Sequence, residues 1–396
     1  MSLPSIAAAA SVGPHFTALP PLSLYVHLPW CVRKCPYCDF NSYEARGPLA
    51  DIEYVDAVLR DLRSEVPQVQ GRQIQSVFIG GGTPSLFSAA AIERLLRGIG
   101  AELALAPEVE ITLEANPGAV DAARFAAFRA AGVNRLSIGI QSLRDDRLRA
   151  LGRVHDSDEA RRAVELARVA GFDNLNLDFM YALPDDGAAG ALADLEQAIE
   201  LAPAHLSWYQ LTLEPNTAFE RRPPPLPADE TVAEIEARGR DLLAASGFVR
   251  YEISAYSKPG RRCAHNLNYW HFGDYLGVGA GAHGKITLPA VPAVERRAKT
   301  RNPRTYVETA GAPAGCSAQR LTEPREIALE FLLNALRVIE GVPERWFVER
   351  TGLPLDGISA PRGEALERGW LADEPGRLRA TPAGREVLNR LLELFA

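Results

Sequence analysis

From residue 24 to about 213 the chain alternates short apolar runs with longer stretches whose apolar residues return every three or four positions. The runs at 24–27, 74–79, 109–114, 135–140, 175–179 and 206–212 read as strands. The segments between them, such as 91–99, 122–131 and 158–170, are rich in Ala, Arg, Glu and Leu and read as helices. Near-continuously apolar strands separated by helices predict a parallel sheet covered on its outer face. Six such units predict an α/β fold, a partial (β/α)6 TIM-like barrel. In that architecture the chemistry sits on loops at the carboxyl ends of the strands.

Beyond 213 the pattern changes. Arg221-Arg222-Pro223-Pro224-Pro225-Leu226-Pro227 is a stiff break before a predicted helix at 229–246. A second break at 311–316 opens the last unit. There Thr322 reads as an N-cap, with Glu323 and Pro324 starting a helix to about 338. Residues 369–371 and 377–380 read as a hairpin, and Thr381-Pro382 begins a final helix through 394. The predicted division is a disordered leader (1–20), the barrel (21–220), an extension closing the barrel (221–315) and a small winged-helix-like α+β domain (316–396).

Composition narrows the function classes. A formal charge of −7 with no basic face argues against a nucleic-acid surface, so the last domain is expected to dock a protein or shield the mouth. Five cysteines, three of them crowded into eight residues, are no disulfide framework and suit a reducing, cytoplasmic setting. Residues 7–10 are all alanine, but the run is too short to span a bilayer and has no positive flank. No direct membrane insertion is expected, and any membrane-peripheral position would come through a partner.

The crowded cysteines stand in Cys31-Val32-Arg33-Lys34-Cys35-Pro36-Tyr37-Cys38, just after the first strand. Thiolates are the ligands of iron–sulfur clusters, and three of them leave one iron of a [4Fe–4S] cube open to a small chelating molecule. Two other readings stand beside this one. Cys35-Pro36-Tyr37-Cys38 fits a redox pair, which leaves Cys31 without a role, and a zinc site would need His27 or another fourth ligand.

Each later strand also ends in polar or glycine residues. Gly80-Gly81-Gly82-Thr83-Pro84 lets backbone approach a ligand or forms a plain tight turn. Glu114 in Glu114-Ala115-Asn116-Pro117 places a carboxylate at the mouth, for an amine, for ribose hydroxyls or for a neighbouring Arg. Gly139-Ile140-Gln141-Ser142 is followed by Leu151-Gly152-Arg153-Val154-His155. Asp178, inside a buried strand, needs a partner and is expected to meet Arg153 or a ligand. The sixth strand ends Tyr209-Gln210-Leu211-Thr212-Leu213-Glu214-Pro215-Asn216-Thr217.

Taken in order after C-x3-C-x2-C, these motifs resemble the oxygen-independent coproporphyrinogen III oxidase group of radical S-adenosylmethionine (SAM) proteins, from about residue 22 to the C-terminus. The resemblance implies a [4Fe–4S] cluster on Cys31, Cys35 and Cys38. It also implies SAM contacts from Tyr25, Tyr37, Gly81, Gly82, Thr83, Glu114, Gln141, Arg153 and Asp178. Tyr181-Ala182-Leu183-Pro184 departs from the pattern, with Ala where the group usually has Gly.

Two features separate the branches of that group. The oxidases carry a further Cys two residues after the third ligand, where this chain has Phe40. The haem-chaperone branch instead carries H-N-x-x-Y-W, and here stands His265-Asn266-Leu267-Asn268-Tyr269-Trp270. The resemblance therefore implies haem as a third cofactor and delivery to haem-accepting respiratory proteins. Oxidative decarboxylation of coproporphyrinogen III is the rival function. His265 would ligate haem iron, Tyr269 and Trp270 would flank the porphyrin, and Arg261-Arg262 would pair with propionates. The alternative is a packed His beside two buried aromatics. His205, His271 and His283 are further candidate ligands, and the glycine run at 277–284 brings backbone close to a cofactor or to another strand.

Overall fold

The computed structural model describes residues 13–396. Its centre is a twelve-stranded sheet. The first six strands are β1 (Leu22–Leu28), β2 (Ile74–Gly81), β3 (Leu105–Ala115), β4 (Arg135–Gln141), β5 (Leu175–Tyr181) and β6 (His205–Gln210). The others are β7 (Val249–Arg250), β8 (Ala255–Ser257), β9 (Asp274–Val278), β10 (His283–Leu288), β11 (Ala293–Lys299) and β12 (Cys316–Leu321). Their spatial order is β12-β11-β10-β9-β1-β2-β3-β4-β5-β6-β8-β7. The ladder from β9 through β1 to β6 is parallel, and both flanks are antiparallel.

Helices α1 (Asp51–Glu65), α2 (Ala89–Glu102), α3 (Ala122–Ala131), α4 (Ser157–Val169), α5 (Ala188–Glu200) and α6 (Asp229–Ala245) follow the strands in turn. Their apolar faces cover one face of the sheet, where Val26, Ile79, Leu113, Ile138, Leu177 and Leu206 are fully buried. The opposite face is not apolar. Ser23, Tyr25, His27, Ser76, Thr112, Glu114, Arg135, Ser137, Asn176, Asp178, His205 and Ser207 occupy the intervening positions of the same strands. The expectation of near-continuously apolar strands is therefore corrected. These strands alternate, aliphatic towards the helices and polar towards the barrel interior, which opens as a cavity at the carboxyl ends of the strands and is packed through hydrogen bonds such as Ser76–His265 and His205–Asn176 below them.

The segment predicted to close the barrel lengthens the sheet at both edges, and β7 and β12 remain unpaired with each other. It also sends α7 (Ala264–Trp270) against β2 and β1. Glu110 of β3 accepts the Ala264 and His265 backbone N–H groups at 3.1 and 3.2 Å, holding a carboxylate at the start of α7. Residues 316–321, placed by sequence in the last domain, pair with β11 instead.

The C-terminal unit has its own core, built on α8 (Pro324–Ala335) and α9 (Glu344–Thr351) with Phe331 and Phe347 at its centre. Glu323, not Thr322, precedes α8, and no side chain caps it; Pro324 supplies the first turn instead. The expected hairpin reduces to a single bridge, Leu371 to Ala380, since residues Arg377–Leu378 pair with Val342–Pro343. The expected last helix breaks at Val387 into Pro382–Glu386 and Leu388–Glu393. Of the predicted leader, residues 1–12 lie outside the described residues. The rest is packed: His15 donates its N–H to the Gly352 carbonyl at 2.7 Å, and Phe16 is buried in the C-terminal core.

Candidate functional site

The carboxyl ends of β1 to β6 open into a cavity of about 430 Å³. Cys31, Cys35 and Cys38 line one side of it, and Tyr37 stands between the last two. The loop is held in shape by its own backbone, with the Cys38 N–H donating to the Cys35 carbonyl at 3.1 Å. Two short strands, Trp30–Cys31 and Tyr43–Glu44, clamp its ends together. Among the described residues no three His, Cys, Asp or Glu side chains converge as they would on a single ion. A cubane does not require that, because its thiolates bind different irons.

The opposite side is built by the strand ends. The Gly82 N–H donates to the Leu28 carbonyl and the Thr83 N–H to the Trp30 carbonyl, at 2.8 and 2.7 Å. This seats the glycine strip directly under the cysteine loop. At Gly81, φ is +118° and a Cβ would lie 2.7 Å from the His27 ring, so only glycine fits. Its N–H donates to Glu114 Oε2 at 3.1 Å. Burial, with Asp178 nearby, pushes the Glu114 carboxyl up to about 8.

Arg153 reaches across to the cysteines. Its Nη1 lies 3.6 Å from Cys35 Sγ, and its Nη2 donates to the Gly139 carbonyl at 2.5 Å. The expected Arg153–Asp178 meeting does not occur. Asp178 accepts instead from Ser137 Oγ at 3.1 Å and Asn176 Nδ2 at 2.8 Å, its neighbours on the polar face. Gln141 has a φ of +76° and accepts from the Tyr209 hydroxyl at 2.9 Å, a strained backbone held by its side chain.

Tyr37, Gly81, Gly82, Thr83, Glu114, Gln141, Arg153 and Asp178 thus line one cavity. Tyr25 lines a second, also about 430 Å³, which shares Asp39, Phe40, Gly81 and Glu114 with the first. His27 lines this second cavity with both ring nitrogens engaged, by the Tyr25 hydroxyl at 2.9 Å and the Asn41 carbonyl at 3.0 Å. That leaves it no nitrogen for zinc. His283, one of the further candidate ligands, also stands on this wall; Asn41, Tyr275 and Arg301 join it there, and nothing in their separate stretches of chain marked them as its neighbours.

His265 lies in the core. Its Nδ1 meets Ser76 Oγ at 2.9 Å, its Nε2 meets the Tyr269 hydroxyl at 3.0 Å, and its ring stacks on Phe78. Burial lowers it to about 3, so it is a neutral ring with both nitrogens occupied. Tyr269 reaches the second cavity, and Trp270 borders a third of about 150 Å³. Arg261 and Arg262 are held in ion pairs with Asp173 and Glu340, at 2.8 Å each, and line none of the three cavities.

Residues 25–214 match the Radical SAM superfamily, and residues 322–387 match the HemN C-terminal domain. Heme chaperone HemW of Escherichia coli K12 is 50% identical over 95% of this chain and 98% of its own length. The heme chaperone HemW of Haemophilus influenzae is 45% identical over 95% and 98%. The chain belongs to the HemW family of radical SAM proteins. The fold is also that of the E. coli coproporphyrinogen III oxidase HemN, with a TM-score of 0.80 at 21% identity over 95% of this chain and 90% of that one.

Membership in the HemW family implies a [4Fe–4S] cluster and SAM, and the residues present fit both. Three thiols face a cavity whose other walls offer a carboxylate, a guanidinium and exposed glycine backbone. Burial raises the Cys31 and Cys38 thiols, so binding iron would displace their protons. Glu114 gives the site a measurable signature. Its folded value of about 8 exceeds the ordinary 4.5, so its contribution to stability is full below pH 4.5 and is lost as pH rises towards 8. Urea denaturation of cofactor-free protein at pH 5 and pH 8 should show this fall in the wild type and a smaller one in Glu114→Gln. The same variant should hold SAM more weakly.

Proposed function

We propose that this protein binds haem and passes it to acceptor haem proteins, respiratory ones among them, while carrying a [4Fe–4S] cluster on Cys31, Cys35 and Cys38 and SAM in the adjoining cavity. The cluster, when bound, supplies an open iron for the amino and carboxylate groups of SAM. Tyr37, Gly81, Gly82, Thr83, Glu114, Gln141, Arg153 and Asp178 hold SAM from the first cavity, and Tyr25 supports it from the second. Tyr269 gives the haem aromatic contact, with Trp270 beside it on the wall of the third cavity, and His265 fixes the Tyr269 hydroxyl from behind. The protein works in the cytoplasm and approaches a membrane only through an acceptor. Among the described residues no helix is long and apolar enough to cross one.

The observation carrying this reading over the oxidase is Phe40. It lies where the two cavities join and is 57% exposed. An aromatic ring there offers stacking surface to a macrocycle, where the oxidase pattern has a thiol. The test is haem titration of cluster-reconstituted protein beside a coproporphyrinogen III turnover assay with SAM and reductant. Saturable haem uptake without protoporphyrinogen IX is expected. Robust product formation would promote the oxidase instead.

A further inference from the structure

The seven histidines differ in what holds their ring nitrogens and in where they lie. His27 and His265 have both nitrogens bonded to protein, as above. So has His205, through Asn176 Oδ1 at 2.6 Å and the Tyr251 hydroxyl at 2.8 Å. His155 gives Nε2 to the Ile140 carbonyl at 3.1 Å, and its Nδ1 is sealed inside the protein. His271 packs against Trp346, away from the three cavities, and His15 lies beside the C-terminal unit. His283 is different. It stands at the start of β10 with an exposed ring on the wall of the second cavity, and nothing among the described residues bonds that ring.

The surroundings of His283 are equally specific. Arg301, on the same wall, makes no ion pair among the described residues, where its side chain forms one long hydrogen bond, 3.4 Å from Nε to Asn41 Oδ1. Tyr25, Phe40, Tyr269 and Tyr275 supply aromatic surface around the same space. The backbone that presents His283 is fixed. Asn41 Nδ2 donates to the Ala280 and Arg301 carbonyls at 2.9 Å each, tying the cysteine loop to this wall. At Gly279 a Cβ would lie 2.2 Å from the His27 carbonyl, so the glycine run passes close alongside the end of β1.

Resting on the haem reading above, we infer that the second cavity is the haem site, with His283 as the iron ligand, Arg301 as a propionate partner and Phe40 and Tyr269 against the porphyrin faces. A volume of about 430 Å³ takes part of a haem and leaves an edge outside, and an edge left outside is what a molecule that must hand haem on requires. Partial enclosure beside Arg296 and Arg301 lowers the His283 imidazole, which favours the neutral ring that can ligate iron. The shared wall of Phe40, Gly81 and Glu114 sets the haem edge beside the SAM cavity.

Ferric haem is titrated into cluster-reconstituted full-length protein, with Soret absorbance and electron paramagnetic resonance as readouts and iron and sulfide content as the check on folding. His283→Ala should lose the imidazole-ligated signature and weaken binding by about tenfold or more, and added free imidazole should restore the spectrum. Arg301→Gln should weaken haem but not haem dimethyl ester, with the spectrum unchanged. His265→Ala should keep imidazole ligation. If the wild type takes up haem saturably and His283→Ala matches it in spectrum and affinity, the site is overturned and the haem reading stands. If the wild type shows no saturable uptake, the haem reading falls and the site with it.

Discussion

Replacing any one of Cys31, Cys35 or Cys38 by alanine abolishes the brown absorbance and the iron of anaerobically reconstituted protein. Cys263→Ala and Cys316→Ala leave both intact. The wild type should carry about four irons per chain, following cubane stoichiometry. The three loop thiols line one cavity, and Arg153 Nη1 lies 3.6 Å from Cys35 Sγ. A cube deprived of one of three protein thiolates keeps two, too few to hold it against solvent. The other two cysteines are differently placed. Cys263 is sealed at the start of α7 beside Glu110, and burial pushes its thiol up to about 12, so it is inert. Cys316 sits in β12 opposite Lys299. Zinc in place of iron after anaerobic purification, or loss of the cluster on changing Cys263, would sink this assignment.

What was legible in the sequence is what is local. The barrel strands were found at 74–79 and 135–140 because each is a short apolar run between helical stretches, and the structure extends them only to Ile74–Gly81 and Arg135–Gln141. The cysteine loop and the glycine strip were legible because each is a continuous motif at a strand end. The polar lining was missed for a physical reason. Ser76, Thr112, Ser137 and Ser207 are small enough to leave a strand looking apolar, although they line the interior at every second position. The second cavity was out of reach in another way. Asn41 meets the carbonyls of Ala280 and Arg301 across 239 and 260 residues, and no window along the chain contains both sides. Conversely, the sequence left His265 open between iron ligand and packed core residue, because Ser76, which takes its Nδ1, is 189 residues away.

Lys299→Met should destabilise the protein by about 3–5 kcal/mol, the cost of stranding buried charge whose partner has been removed. Lys299 Nζ lies 2.6 Å from Asp61 Oδ1 and 2.5 Å from Glu65 Oε1, and all three side chains are buried. Arg297 bonds Glu65 as well, at 3.1 Å, so Glu65 keeps a partner when Lys299 goes. Asp61 does not keep a cation. It retains the Tyr306 hydroxyl at 2.8 Å and a long contact from the Gly279 N–H at 3.4 Å, and burial already raises its carboxyl. Tyr306 in turn accepts the Gly279 N–H at 2.9 Å, so the same cluster anchors the glycine run that leads to His283. The loss should therefore appear twice, as a lower urea midpoint by near-ultraviolet circular dichroism and as weaker haem binding. Lys299→Met combined with Asp61→Asn should recover part of the stability, because the stranded carboxylate is then gone. A single variant as stable as the wild type would show that water or Arg297 neutralises Asp61, and that the glycine run is held by its contacts with β1 alone.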